Sequence, residues 1–128
     1  MTNVHEDSIT GLHLDSVNNV LYSTSIDGWL NVFEGKNGVL IDSIEFGTDV
    51  TSMYGDSEHM RLFLAMGDGN IEIISYDYKA KTRVLAMVAT PDTGSIKCMA
   101  TDNIKNYLFA TGYETGNIFI YDTGKSGQ

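Results

Sequence analysis

The residues closest to a known chemical motif are Gly124-Lys125-Ser126, because lysine and serine after a glycine resemble the end of a phosphate-binding loop. That loop needs a second glycine five residues earlier and a strand-to-helix transition. Phe119 occupies the glycine position, and no helical pattern follows the tripeptide. These residues therefore do not predict phosphate binding.

Metal binding has no support in the histidines or in the cysteine. The histidines His5, His13 and His59 fall at no metal-ligand spacing and have no cysteine cluster beside them. We expect His5 to be a structural hydrogen-bonding residue and His59 to lie in an exposed turn. Cys98 lies in a predicted strand and is expected to be a small buried side chain.

The aspartates are the remaining group with chemical potential. Asp68-Gly69-Asn70 and similar segments lack the twelve-residue spacing and terminal glutamate of a calcium loop. Aspartates that hydrogen-bond the backbone of their own turns explain them. The serines show no Gly-x-Ser-x-Gly elbow. Because no acid, base and nucleophile are combined, we predict no catalytic residue, no cofactor and no metal site, and thus a protein that is not an enzyme.

Composition narrows the classes of partner. The chain has 8 Lys and Arg against 17 Asp and Glu, which gives a formal net charge of −9. Such a chain is not expected to bind nucleic acid or anionic lipid, since both are recognised by basic surfaces. Cys98 alone forms no internal disulfide, and residues 1–7 lack the features of a signal peptide. We therefore expect an intracellular, cytoplasmic protein.

Three segments of the chain repeat one pattern, counted from anchors at Ile9, Val50 and Ile96. An apolar residue follows each anchor at the third position, aspartate at the sixth, leucine at the twelfth, an aromatic residue at the thirteenth and an acid at the eighteenth. The leucine and aromatic pairs are Leu21-Tyr22, Leu62-Phe63 and Leu108-Phe109. The anchors lie 41 and 46 residues apart. A period in the 40s is typical of one propeller blade.

Each repeat has the pattern of a strand meander. Asp27-Gly28 and Asp68-Gly69 join runs of strand-forming residues, which is a strong hairpin signal because glycine accepts a positive φ. Gly116 stands at the matching turn of the third repeat. Residues 39–44 and 82–88 predict a fourth strand in the first two repeats, whereas the third stops after three strands. We therefore predict an all-β fold without helices.

The third strand of each repeat resembles that of the WD40-repeat β-propeller family, which carries Asp-Gly-x-aliphatic-x-aliphatic-Trp-Asp. The matching stretches are residues 27–34, 68–75 and 115–122. The Trp-Asp pair of the family is replaced by Phe33-Glu34, Ile74-Ser75 and Tyr121-Asp122.

A polar network is the second feature that the resemblance implies. Of the Gly-His element that precedes the first strand in the family, only His5 remains. By this resemblance, part of the buried network is expected in the first blade from His5, a serine of the second strand (Ser23 or Ser25), Asp27 and Phe33. The other two repeats have no equivalent histidine.

The resemblance divides the chain into blade 1 (1–46), blade 2 (47–91), a three-stranded blade 3 (92–122) and a polar tail (123–128). Propellers close with 4–8 blades, so three blades leave the ring open. An open arc exposes two apolar blade faces. We expect the chain either to be part of a larger propeller or to be completed by another chain, in the simplest case by dimerising.

The function that we expect is a non-catalytic interaction or scaffold module for protein partners, which would be basic or peptide-like because acidic surfaces steer basic ligands. A purely structural segment of a large multi-repeat assembly and an enzyme on a propeller fold are the alternatives. Family members of cilia and membrane traffic have similarly degenerate repeats, so a cytoskeletal or ciliary setting is compatible with the sequence.

Three side chains are candidates for partner contact. Trp29 follows a turn at the rim that the family commonly uses for partners, and Trp is enriched at interface hot spots. The alternative is that Trp29 packs between blades. Tyr113, at the matching turn of the third blade, and Met60, beside His59, are weaker candidates of the same kind.

Overall fold

The computed structural model describes residues 4–91, 95–102, 104–114 and 116–124. These residues form eleven strands in three antiparallel sheets and include no helix. Lys125 and Ser126, and most of the predicted tail, lie outside the described residues. Within the described ranges, no helix is long and apolar enough to cross a membrane.

Each sheet is a meander in which consecutive strands pair, and each corresponds to one sequence repeat. Blade 1 consists of β1 (Ile9–Asp15), β2 (Val20–Ser25), β3 (Trp29–Glu34) and β4 (Leu40–Glu45). Blade 2 consists of β5 (Val50–Asp56), β6 (Arg61–Met66), β7 (Ile71–Asp77) and β8 (Thr82–Ala89). Blade 3 consists of β9 (Ile96–Asp102), β10 (Tyr107–Gly112) and β11 (Ile118–Asp122). The predicted all-β architecture with two four-stranded blades and one three-stranded blade is therefore confirmed.

Turn chemistry explains where the strands end. Gly28 and Gly69 have φ angles of 85° and 90°, the left-handed conformation that glycine tolerates best. At the other end of the sheets, the last residue of β1 and of β9 accepts hydrogen bonds from its own turn. Asp15 Oδ1 accepts from the Val17 backbone N–H at 3.1 Å, and Asp102 Oδ1 accepts from that of Ile104 at 3.1 Å.

Blade 2 is packed on both faces, so its inner strand β6 is apolar from Leu62 to Met66 rather than alternating. The core between blades 1 and 2 consists of Val20, Tyr22, Leu30, Val32, Phe46, Val50, Leu62, Leu64, Met66, Ile74 and Tyr76. The core between blades 2 and 3 consists of Phe63, Ala65, Ile71, Ile73, Met87, Ala89, Ile96, Leu108 and Ala110.

The outward face of blade 3 lacks such a neighbour among the described residues. At its third strand, Ile118 and Ile120 are 65% and 60% exposed, whereas the equivalent Leu30 and Val32 of blade 1 are fully buried against blade 2. Phe109 of the same face is half-buried. The face of blade 3 that points away from blade 2 consists of Cys98, Ala100, Phe109, Thr111, Ile118 and Ile120.

This arrangement corrects one prediction. Cys98 was expected to be a small buried side chain, but it is an exposed free cysteine. In its strand, β9, Ile96 and Met99 pack on blade 2. Cys98 belongs to the other face, and its Sγ lies 3.5 Å from the hydroxyl of Thr111.

Candidate functional site

A buried polar network in blade 1 ties the segment before β1 to the turn between β2 and β3. His5 Nδ1 lies 3.0 Å from Asp27 Oδ2, and His5 Nε2 lies 2.8 Å from Ser23 Oγ. A carboxylate only accepts, so Nδ1 carries the proton of the first hydrogen bond. The side chains of His5 and Asp27 are 1% and 7% exposed. Of the two serines that the sequence left open, Ser23 is the one that contacts His5.

Asp27 is the centre of this network. Its carboxylate also accepts hydrogen bonds from the backbone N–H groups of Glu6 and Trp29, both at 2.9 Å. Burial by itself would raise the pKa of Asp27, but these hydrogen bonds and the contact with His5 outweigh it and hold the pKa below its usual value. Ser25 has a different role, since its hydroxyl accepts from the Asp27 backbone N–H at 3.0 Å.

A second set of hydrogen bonds extends the network across the same face of blade 1. The Asn31 side-chain N–H donates to the carbonyl oxygen of Val4 at 2.7 Å, and the Ser43 hydroxyl donates to Asn31 Oδ1 at 2.8 Å. Phe33, at the position of the family's tryptophan, is buried on this face and has no polar atom to offer. The segment 4–8 is thus held against blade 1 by polar contacts.

The equivalent positions of blades 2 and 3 have no such network in the described residues. Leu64 and Ala110 stand where blade 1 has Ser23, and both are buried in apolar cores. Asp68 is exposed and accepts from the Asn70 backbone N–H at 2.9 Å, within its own turn. Gly116 is exposed, and Tyr121 packs against the core between blades 2 and 3.

We expect Asp27→Ala to lower the free energy of unfolding by about 1–3 kcal/mol, because it leaves the buried His5 and two backbone N–H groups without their acceptor. Asp68→Ala is the matched control, since it removes an exposed aspartate from the same turn of blade 2, and we expect a loss below about 1 kcal/mol. Urea denaturation measures both values, and hydrogen exchange at Glu6 should accelerate only in Asp27→Ala. Equal losses in the two variants would contradict this role of the network.

A second cluster of charges lies at the opposite end of the sheets, in the turn between β5 and β6. Asp56 is fully buried at its side chain, and its Oδ2 lies 3.0 Å from Arg61 Nη2 and 2.9 Å from His59 Nδ1. Burial would raise the pKa of Asp56, but the hydrogen bonds from Arg61 and His59 outweigh it and lower the pKa. His59 lies in an exposed turn, as the sequence predicted. Its contact with Asp56 was not predicted.

Asp56, Glu58 and His59 each present a ligand atom within 4.8 Å of the other two. Metal binding is not what this geometry favours, because the guanidinium of Arg61 already neutralises the Asp56 carboxylate. The cluster therefore serves as an ion-pair anchor between β5 and β6.

Aromatic and polar side chains near Asp56 join blades 1 and 2. The His13 ring stacks on Tyr22 with centroids 5.9 Å apart, and its Nε2 lies 3.0 Å from the Ser57 hydroxyl. Burial lowers the pKa of His13 and raises the pKa of Tyr22 to about 12. The Tyr76 hydroxyl donates to Asp42 Oδ2 at 2.7 Å, and its burial together with this bond raises its pKa.

The three candidate contact residues lie at two different ends of the sheets. Trp29 begins β3, is half-buried, and lines a shallow depression with Val4 and His5. Tyr113 lies at the same end and is 69% exposed, with Lys97 Nζ 5.7 Å from its ring centroid. Met60 lies in the turn between β5 and β6, at the opposite end, so one compact ligand cannot contact it together with Trp29.

Met60 has an unusual backbone conformation. Its φ is 56°, in the left-handed region, and the residues at the same turn position in the other blades, Asn19 and Asn106, have φ values of 55° and 62°. Asparagine tolerates this conformation better than methionine does. The exposed Met60 therefore occupies a position whose left-handed backbone favours asparagine.

The end of the sheets that carries Trp29 and Tyr113 is acidic. We call this end the acidic rim, and its carboxylates are Glu6, Asp7, Asp27, Glu45, Asp49, Asp68 and Glu114. None of the described residues in the turns and loops of this end is Lys or Arg, and the cation beside them is the exposed Lys97 of β9, which contacts Tyr113. The turns of the opposite end contain Lys36, Lys79, Lys81 and Lys105. The sequence revealed the net charge, but only the strand order shows that the two ends differ.

Known proteins support the architecture. No family model matches the chain. Over 78 residues, or 60% of this chain, the sequence is 32% identical to the U3 small nucleolar RNA-associated protein 21 homolog of Schizosaccharomyces pombe, and the match covers 8% of that protein. The chain thus corresponds to a small part of this curated relative.

Similar solved structures cover almost the whole chain. The RRP9 WD40 repeats match 97% of this chain and 38% of their own, with a TM-score of 0.77 and 14% identity. The β-propeller domain of Myceliophteria thermophila Cps50 (Swd1) matches 93% of this chain and 41% of its own, with a TM-score of 0.76 and 14% identity. The structure of U3-55K matches 97% of this chain and 39% of its own, with a TM-score of 0.77 and 14% identity. The structural neighbours are WD40-repeat β-propellers, and the three sheets have the fold of part of such a propeller.

Proposed function

We propose that this part of a WD40-type propeller is a non-catalytic protein-interaction module whose acidic rim binds a basic segment of a partner protein. The observation that carries the proposal is the charge difference between the two ends of the sheets. The acidic rim carries carboxylates with Lys97 of β9 as the adjacent cation among the described residues, whereas lysines accompany the carboxylates Glu34, Glu58 and Asp77 at the opposite end. Such a charge distribution favours a basic ligand at the acidic rim over the opposite end.

Two aromatic side chains of the acidic rim can contact a basic ligand that the carboxylates attract. Tyr113 is exposed at the turn between β10 and β11, and Trp29 is half-buried beside Asp27. Aromatic rings bind the aliphatic stems and cationic heads of Lys and Arg. The rim therefore combines carboxylates with aromatic surface, which is the composition that suits a Lys- or Arg-rich peptide.

We expect the triple variant Glu45→Gln, Asp68→Asn and Glu114→Gln to bind a Lys- and Arg-rich peptide about tenfold more weakly, if each exposed charge pair contributes about 0.5 kcal/mol. All three carboxylates are exposed. Fluorescence of Trp29, the single tryptophan of the chain, reports binding at the rim directly. The affinity of the unmodified chain should fall as salt is raised, because ions screen these charges.

A second triple variant controls for net charge alone. Glu34→Gln, Glu58→Gln and Asp77→Asn change the total charge by the same amount, but these exposed residues lie at the opposite end. We expect this variant to lose less than about twofold in affinity, since only screened long-range charge is removed. If both triple variants weaken binding equally, or if no basic peptide binds, the acidic rim is not the interaction site.

A further inference from the structure

Lys97 lies at a bulge of β9, beside the acidic rim. In all three blades the ladder between the first two strands skips one residue near this rim, and the skipped residues are Thr10, Thr51 and Lys97. A bulge re-aims the side chain that it leaves unpaired. The three side chains occupy equivalent positions of the repeat, so their contacts can be compared directly.

Blade 3 differs from the other two blades at this bulge. Thr10 Oγ1 donates to a backbone carbonyl oxygen of β5 at 2.7 Å, and Thr51 Oγ1 donates to one of β6 at 3.2 Å. These hydroxyls join packed strands. The side chain of Lys97 instead extends to the ring of Tyr113, with Nζ 5.7 Å from the ring centroid. Lys97 thus makes a surface contact where the other blades have a structural hydrogen bond.

Tyr113 also differs from its equivalents only in its side chain. Ile26 and Gly67 occupy its position in blades 1 and 2. In each blade the backbone N–H of this residue donates to the carbonyl oxygen just before the first strand, at 3.1 Å for Ile26 and Tyr113 and at 2.8 Å for Gly67. The backbone of Tyr113 is therefore fixed, whereas its side chain is 69% exposed. Among the described blades, blade 3 alone combines a cation and an aromatic ring at these two positions.

The ring of Tyr113 is a surface that holds a cation at the acidic rim. Lys97 is exposed, and its ammonium group forms no ion pair with a carboxylate among the described residues. It lies near the ring instead, whose negative face attracts cations. Because both side chains are exposed, a second cation from solution can reach the same ring. Lys97 therefore occupies a cation site that is open to competition.

We propose that the ring of Tyr113 is the subsite for an arginine side chain of the basic partner, and that Lys97 is a resident competitor which this arginine displaces. The proposal rests on the binding of a basic segment to the acidic rim. A lysine of the partner exchanges one ammonium group for another and gains little. A guanidinium stacks on an aromatic face and is more weakly hydrated than an ammonium. Tyr113 therefore favours arginine over lysine.

Two capped peptides of equal length and charge test this preference. One alternates Arg with Ser, the other alternates Lys with Ser, and calorimetric titration measures the affinity of each. We expect the Arg peptide to bind the unmodified chain about threefold more tightly than the Lys peptide. The preference should vanish in Tyr113→Leu, which keeps an apolar side chain but removes the ring. Equal affinity of the two peptides for the unmodified chain would overturn the proposal.

Lys97→Gln removes the competitor and should bind the Arg peptide about fivefold more tightly. Lys105→Gln is the matched control, since it removes the same charge from an exposed turn of blade 3 at the opposite end, and its affinity should change less than about twofold. In the Tyr113→Leu background, Lys97→Gln should gain no more than this control. If it gains fivefold there as well, Lys97 acts only through its charge and the proposal is wrong.

Proton NMR follows the displacement itself. The ring current of Tyr113 shifts the ε-methylene protons of Lys97 upfield in the free chain, and saturating Arg peptide should return them to their position in Tyr113→Leu. Resonances that do not move on saturation would also contradict the proposal.

The same titrations separate the subsite from the acidic rim. If the triple variant Glu45→Gln, Asp68→Asn and Glu114→Gln weakens binding while Lys97→Gln behaves as Lys105→Gln does, the rim binds the peptide and the subsite at Tyr113 is wrong. If neither peptide binds the unmodified chain, the rim and the subsite are both wrong.

Discussion

Replacing Phe63 with alanine is expected to lower the free energy of unfolding by about 3–5 kcal/mol, the typical cost of removing a buried aromatic ring and leaving a cavity. Phe63 is fully buried in the core between blades 2 and 3. Its ring lies 6.2 Å from that of Tyr54, and the Arg61 guanidinium lies 5.4 Å from its centroid. The substitution removes the largest fully buried side chain of the core between these two blades, so the amides of blade 3 should lose protection from exchange first.

Phe109→Ala provides the comparison for this prediction. Phe109 occupies the same position of the repeat, but on the outward face of blade 3 it is only half-buried. We expect Phe109→Ala to lower the free energy of unfolding by less than about 2 kcal/mol. The ring of Phe109 already contacts water, so its removal leaves no enclosed cavity. Urea denaturation of both variants measures the difference, and equal losses would show that the two faces are covered alike in solution.

The second large effect is expected at Asp56. Asp56→Ala should lower the free energy of unfolding by about 3–5 kcal/mol, because it leaves the charge of Arg61 largely buried without its partner. Arg61 is 14% exposed at its side chain, and its Nε already has no hydrogen-bond partner. Asp102→Ala is the control, since Asp102 ends β9 as Asp56 ends β5 and accepts from turn backbone at Ile104 and Lys105. We expect Asp102→Ala to lower the free energy of unfolding by about 1 kcal/mol.

The same site predicts how stability depends on pH. The pKa of Asp56 is lowered in the folded state, so its stabilising contribution is complete above the ordinary aspartate value of about 3.9 and is lost as the pH falls through the folded value. Stability measured between neutral and acidic pH should therefore fall less steeply in Asp56→Ala than in the unmodified chain. If the stability of both proteins falls equally steeply with decreasing pH, the Asp56 carboxylate does not make this contribution.

Local sequence signals were sufficient for the sheets. Asp-Gly turns, the leucine and aromatic pairs and the repeat period predicted three meanders, and the glycine turns at Gly28 and Gly69 have the positive φ on which the hairpin prediction rested. These features depend on neighbours in the chain. They could therefore be interpreted before any packing was known.

Other features depend on packing, which the sequence does not contain. Ser23 and Ser25 point to the same side of β2 by strand alternation, so only the position of His5 decides which one it contacts. Cys98 lies between the core residues Ile96 and Met99 in the sequence and was predicted to be buried, yet its face has no described neighbour. The pairing of Asp56 with Arg61 required the register of β5 and β6.

Each described strand pairs only with its neighbours in the chain, and this has a consequence for synthesis. Blade 1 is complete in its hydrogen-bonded ladders by Glu45, and the contact of His5 with Asp27 spans only 22 residues. A growing chain can therefore form each meander as it leaves the ribosome, without waiting for distant segments, and structures built from such local contacts fold rapidly. Blade 2 can then pack against the completed blade 1, and blade 3 can pack against blade 2 in turn.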